Sequence, residues 1–357
     1  DNKMVGCTAI IITGIAYENS KFLNYGLVLL KKIINTSFDN NYFPRSRNIR
    51  QMVFYLKYFI LIRELLRDSL NEIPDYLDEI IFYLGKNYDF FWGSLKKNLL
   101  FNGNNNSNNK DFDKYLNFFR YKFKSDKFDT SGYTILKNTN AVLAMDLGNN
   151  PGKKYSENYQ SGPLSFEFFF KDNKLITNSG YFQDHNHQLN RISKSTATHS
   201  TLILDNSSVS NFKKNKMGQI IISKGFKTFD NRVTYEKNYW NIQCSHDGYL
   251  SRYGVIHQRG LEFFSDKNII IGKDKLIKKN NFKASNFEIR FHLLPNIKVT
   301  KLQDNKSVLI ELENSGWKFF SDGGLVGVET GLYFGNKNNY VENQNIFISG
   351  VTQNMNN

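Results

Sequence analysis

Only two cysteines occur in the sequence, Cys7 and Cys244, far apart and in different expected domains, so neither a disulfide framework nor a thiolate metal site is indicated. The chain does not begin with a charged n-region followed by an apolar h-region, and no run approaches the length that spans a bilayer. Its start at Asp1, already close to a helical pattern, suggests a fragment whose true N-terminus, and any signal peptide, is missing. Acidic residues are the minority: 33 against 47 basic ones, for a formal charge of +14. A surplus of that size favours nucleic acid, anionic lipid or acidic polysaccharide as partners. Lys, Asn, Ile, Phe and Tyr are all abundant, however, and A/T-rich coding produces that bias without selection for a ligand. No basic helix, RNP-like strand or zinc-finger spacing supports nucleic acid.

With 357 residues and 40% hydrophobic content, the chain can bury two cores. Residues 1–125 read as helical. Leu23, Leu27, Leu30 and Ile34 recur at helical spacing, as do Phe59, Ile62, Leu66 and Leu70 within Met52–Leu70. Asp39–Pro44 reads as a turn, Pro74 opens a helix over Asp75–Tyr88, and Phe112–Phe123 keeps the helical pattern. Antiparallel helices with short connections suit part of an α/α toroid, although no sequence repeat of fixed period occurs. Asn102–Lys110, centred on Gly-Asn-Asn-Asn-Ser-Asn-Asn, reads as a flexible polar loop. From residue 126 the pattern changes to short alternating runs divided by Gly, Asn and Asp turns, which predicts a large antiparallel β-sandwich over 126–357. The expected fold class is therefore α+β, a partial helical toroid followed by a sandwich.

Within the β region, Gly162–Ser207 joins strand-like Leu164–Phe170 and Leu175–Ile176 to a polar segment holding His185, His187 and His199. His185 and His187, spaced i, i+2, could face one metal or anion in an extended segment; a solvated loop is the other reading. His292, in Arg290–Pro295, reads as structural.

The order Leu-Ser-Phe-Glu-Phe (164–168), Leu-Ile-Thr-Asn-Ser-Gly (175–180) and Lys-Ser-Thr-Ala-Thr-His-Ser-Thr-Leu-Ile-Leu-Asp (194–205) resembles the C-terminal domain of the heparinase II/III-like polysaccharide lyases. Ser245–Arg259, Arg290–Pro295 and Gly316–Phe319 follow in that family's order, and Leu-Phe-Asn-Gly (100–103) resembles its helical part. The resemblance implies β-elimination at a uronic acid in a glycosaminoglycan- or alginate-like polymer. One group neutralises the carboxylate, a base removes the C5 proton and an acid protonates the departing O4. It also implies a bacterial periplasmic or envelope location and no cofactor. Asn19 stands at the family's carboxylate-neutralising Asn, with Ser20 in place of the usual His. Tyr42 stands at another His position, and Ile49 and Arg50 at a Tyr-His pair. Asn158, Gln160 and Gly162 replace two histidines and an Asp, so no metal is expected there.

The resulting catalytic candidates are His199, Tyr249, Asn19 and Tyr42; the substrate-binding candidates are Arg45, Arg50, Lys194, His246, Arg252, His257 and Arg259. Arg45, Arg50, Arg191, Lys194, Arg252 and Arg259 are expected to line one concave face if the charge serves binding, in a cleft between the domains. The other reading is a non-catalytic envelope protein that binds acidic glycan, favoured by Ser20, Ile49 and Gln160.

Overall fold

A computed structural model describes residues 2–93, 98–106, 109–313, 315–336 and 339–354. The chain divides into two compact units, Asp1–Asn98 with Ser107–Ser131, and Leu99–Asn106 with Gly132–Asn357.

The first unit carries α1 (Asn2–Ala16), α2 (Ser20–Ser37), α3 (Ile49–Asp68), α4 (Asp75–Trp92), α5 (Lys110–Phe118) and a two-residue strand, β1 (Asp129–Thr130). The helical spacing in α2 carries Leu30 and Ile34 into the interior. In α3 it buries Phe59, Ile62 and Leu66. Leu70, expected inside α3, is 95% exposed and left-handed (φ 56°), and the helix stops at Asp68. Pro74 caps α4, and Asp75 and Asp78 in its first turn suit the positive end of the helix dipole. The expected helix over Phe112–Phe123 ends at Phe118, because Arg120 turns the backbone left-handed (φ 63°). Beyond it, half-buried Tyr121 and Phe123 alternate with exposed Lys122 and Lys124.

The second unit is built of antiparallel strands. One sheet contains β2 (Tyr133–Lys137), β3 (Ala141–Asp146), β4 (Phe166–Phe170) and β5 (Asn173–Ile176) in sequence order. β6 (Leu202–Leu204) lies in a second sheet of order β17-β18-β13-β6, with β13 (Asn286–His292), β17 (Leu325–Tyr333) and β18 (Val341–Val351). β7 (Asn211–Lys214) pairs with β8 (Ile220–Lys224). A fourth sheet, of order β12-β11-β10-β9, contains β9 (Thr228–Tyr235), β10 (Tyr239–His246), β11 (Val255–Phe264) and β12 (Ile269–Lys278). β14 (Lys298–Lys301), β15 (Ser307–Leu312) and β16 (Ser315–Phe320) form the fifth. The inward residues share one core, in which Phe168 packs edge-on to Trp317 and against Phe263.

Leu99–Asn106 belongs to this second unit, and Asn102–Asn105 are buried rather than forming the expected flexible loop. The polar side chains are consumed in bonding: Asn102 donates to Tyr133 Oη and Asp146 Oδ2 at 2.5 and 3.0 Å, and Asn104 donates to Leu99 O at 2.6 Å. Residues 107 and 108 of that stretch lie outside the described residues. The Leu100 amide bonds both oxygens of Glu167, whose carboxylate forms a buried ion pair with Lys174 at 2.7 Å. Among the described residues no helix is long and apolar enough to cross a membrane.

Candidate functional site

Thr196–Thr198 forms a single 3-10 turn, and the chain extends at His199 before entering β6. This turn brings His199 Nδ1 to 2.9 Å from Ser195 O, which can only accept. The proton therefore sits on Nδ1 and the lone pair on Nε2, and Nε2 has no hydrogen-bond partner among the described residues. Burial lowers the pKa of this ring to about 4, so it is neutral at neutral pH. The imidazole occupies space left by Gly162, where a Cβ would come within 2.3 Å of His199 Cδ2. Gly162→Ala is accordingly expected to destabilise the fold by about 1–3 kcal/mol through overpacking. It should also shift the imidazole NMR signals of His199, and an unchanged melt and spectrum would show that the ring is not held there.

Gln160, Asn158 and Ser200, near His199 in the same sequence region, are engaged in bonds of their own. Gln160 accepts from Gly103 N at 3.0 Å and donates to Gly180 O and Ser193 O at 2.9 and 2.7 Å. Asn158 accepts from Tyr181 Oη at 3.1 Å. Ser200 donates to Thr177 O, and its amide bonds Asn178. His292 Nε2 donates to Ala197 O at 3.0 Å and Nδ1 faces Ser179 Oγ at 3.1 Å, in keeping with the structural role read from the sequence. Burial brings the His292 pKa down to about 3.

The other β-unit candidates form a separate buried array. Gly248 N donates to His246 Nδ1 at 3.1 Å, which leaves His246 Nε2 as the donor to His257 Nδ1, also 3.1 Å away. His257 Nε2 then donates to Asp274 Oδ1 at 2.6 Å. Both rings are fully buried and their pKa values are lowered, first by desolvation. Burial alone would raise the Asp274 pKa, but Arg259 and His257 together outweigh it and lower it. Arg259 is 1% exposed, bonds both Asp274 oxygens at 2.8 and 3.0 Å, and donates to Leu164 O and Ser200 O at 3.1 and 2.7 Å. Pairing of β11 with β12 sets Arg259 directly opposite Asp274. Asp274 was not singled out in the sequence, although the turn between Phe264 and Ile269 fixes this register.

Tyr249 is fully buried, donates to Leu202 O at 3.1 Å, and is held protonated by burial. Lys194, 1% exposed, donates to Glu157 O and Ile220 O, and burial lowers its pKa to about 8. Arg252 reaches Asn211 Oδ1 at 2.9 Å. His187 caps α6 (Gln188–Ser193) by accepting from Leu189 N at 3.1 Å, and His185 is exposed. Among the described residues no three His, Cys, Asp or Glu side chains group as a metal would require.

In the helical unit, Asn19 caps α2, its Oδ1 accepting from Lys21 N and Phe22 N at 3.1 and 3.2 Å. Tyr42, left-handed at φ 56°, stacks on Tyr83 and donates to Glu79. That hydrogen bond, with burial second, raises the Tyr42 pKa to about 12. Arg45 is exposed, and Arg50 is half-buried in the first turn of α3. The expectation that all six cations line one surface is corrected for Lys194 and Arg259, which lie in the interior because both are bonded to backbone carbonyls there.

A family model described as Heparinase II/III-like, C-terminal, matches residues 122–357. No curated protein sequence matches the chain. Among solved structures, the chain is similar to the heparan sulfate lyase HepC of Pedobacter heparinus, with a TM-score of 0.76 and 14% identity over 98% of this chain and 58% of that one. A mutant of that lyase gives a TM-score of 0.78 at 14% identity, over 100% and 58%. The heparinase III BT4657 gene product gives 0.77 at 14%, over 97% and 56%. At this identity the likeness is one of fold, and the chain spans less than three-fifths of the length of these structures.

Proposed function

The chain belongs to the heparinase II/III-like family through residues 122–357, and we propose that it is a lyase cleaving a uronic-acid-containing polysaccharide by β-elimination. The observation that supports this most is His199, a neutral imidazole with its Nδ1 proton fixed on Ser195 O and an uncommitted Nε2 lone pair. Such a group suits proton abstraction better than electrostatic binding of a carboxylate, which would need the charged ring. In the proposed step Nε2 takes the C5 proton, the C5–H electron pair becomes the C4–C5 double bond, and the C4–O4 bond breaks as O4 gains a proton. Tyr42 would be the acid for O4 only once its hydroxyl is released from Glu79, to which it donates. Asn19 keeps its amide hydrogens for a carboxylate, since the cap uses only Oδ1.

The helices would be part of an α/α toroid and the β unit a sandwich, as in the fold the chain resembles. A polymeric substrate outside the cytoplasm would place the protein in the periplasm or cell envelope. A second reading, glycan binding without cleavage, is favoured by the burial of Tyr249, whose hydroxyl is bonded to Leu202 O. The two separate on incubation with a panel of uronate polymers. An unsaturated product absorbing in the ultraviolet is expected, and affinity without product would select the binder.

A further inference from the structure

The residues following α5 read Tyr-Lys-Phe-Lys (121–124), and the fold pins this segment at three points. Tyr121 Oη donates to Glu64 Oε1 at 2.7 Å, and Ser125 N donates to Asp89 Oδ2 at 2.7 Å. Between them the Phe123 ring lies against Gly85 of α4, where a Cβ would come within 2.1 Å of it. With both aromatics turned inward, Lys122 and Lys124 are exposed.

They border a concavity of about 460 Å³ that Arg63, Arg67, Lys86 and Arg120 also line, with Glu64 and Asp78 as its carboxylates. Those carboxylates are already paired: Arg63 bonds Asp78 at 2.5 Å and Glu64 at 3.1 Å, and Arg67 bonds Glu64 at 2.5 Å. Lys86, Arg120, Lys122 and Lys124 have no ion-pair partner among the described residues. Phe82 is 50% exposed in the same concavity, with Lys86 4.8 Å from its ring centre. Phe82 and Tyr83 are successive residues of α4 and point about 100° apart, so the concavity opens on a different face from the one where Tyr42 stacks.

We propose that this face of the helical unit is a second binding site for acidic carbohydrate, separate from the His199 chemistry. The unpaired cations would hold carboxylate or sulfate groups along a sugar chain, and the Phe82 ring would lie under a sugar face. Docking of Tyr121 and Phe123 fixes the backbone that carries the lysines, which limits the ordering cost of binding to their side chains. The inference rests on the acidic-polysaccharide reading above.

The test titrates the intact chain at low salt with a heparin-derived oligosaccharide of about ten sugars. Lys122→Glu with Lys124→Glu should weaken binding roughly tenfold, the size expected when two exposed ion pairs become repulsions, and should flatten its salt dependence. Phe82→Ala should weaken oligosaccharide binding while leaving binding of a DNA duplex unchanged. Unaltered affinity in the lysine variant, or a duplex bound as tightly as the sugar and losing affinity in all three substitutions, would overturn the proposal. If no polymer yields unsaturated product but the lysine variant loses affinity, the lyase reading fails and this site stands.

Discussion

Replacing His199 by alanine is expected to lower turnover by roughly 100-fold or more, the contribution of a positioned general base, with little change in affinity for the polymer. The loss belongs in turnover because Nε2 acts on a proton that moves only in the reaction. A neutral ring at neutral pH adds a second signature. With its pKa at about 4, the base is fully unprotonated from pH 6 to 8, so this group should give no rise in turnover across that range. The substitution leaves a cavity over Gly162 and takes the donor from Ser195 O, so turnover is compared with that of His199→Gln and only where the melt shows a folded variant. A normally folded variant that retains wild-type turnover would leave His199 with a structural role only.

Acid should be more damaging than any single substitution. The His199 and His292 pKa values are lowered by burial to about 4 and about 3, whereas free imidazoles titrate near 6.5. Between those values the unfolded chain binds protons that the native chain refuses, so stability rises with pH and is lost as pH falls. Each ring costs about 1.4 kcal/mol per pH unit across that window. From pH 6.5 to 4.5 the two together remove about 5 kcal/mol, comparable with the whole stability of a domain. The pKa values of His246 and His257 are lowered too. Charging His257 would set N–H against N–H across their 3.1 Å bond, and charging His246 would set its Nδ1–H against the Gly248 amide. Denaturant midpoints measured from pH 7.5 to 4.5 should fall steeply below pH 6.5, and a flat profile would refute this account.

The helices were legible because the 3.6-residue period of Leu23, Leu27, Leu30 and Ile34 survives whatever packs on it. Val255–Phe264 was legible for a similar reason, and the structure realises it as strict alternation of buried and half-buried residues. The same alternation puts His257 and Arg259 on the inward face with Leu261 and Phe263. Charged side chains read from sequence alone suggest an outward, ligand-facing position, and only the partner strand reveals Asp274 waiting opposite. β7 and β14 were not anticipated, since Asn-Phe-Lys-Lys and Lys-Val-Thr-Lys are short, mostly exposed and poor in apolar residues. The Leu-Phe-Asn-Gly stretch was read as helical-region material. Its amides and asparagines are satisfied by Glu167, Gln160, Tyr133 and Asp146, all later in the chain and out of reach of local pattern.

That stretch also sets an order in time. Leu99–Asn106 emerges from the ribosome well ahead of what completes it. Glu167 follows Leu100 by 67 residues, and Tyr333, which accepts from Asn106, comes 227 residues after it. At about 5–20 residues per second, the first partner arrives within seconds and the last after roughly ten to fifty seconds. Throughout that interval the chain has already moved on to make α5 and the rest of the helical unit. The helices can thus form while the nascent β unit still lacks its closing strands, and Asn106 bonds water until Tyr333 is made, whereas Asn102 meets Tyr133 and Asp146 much earlier.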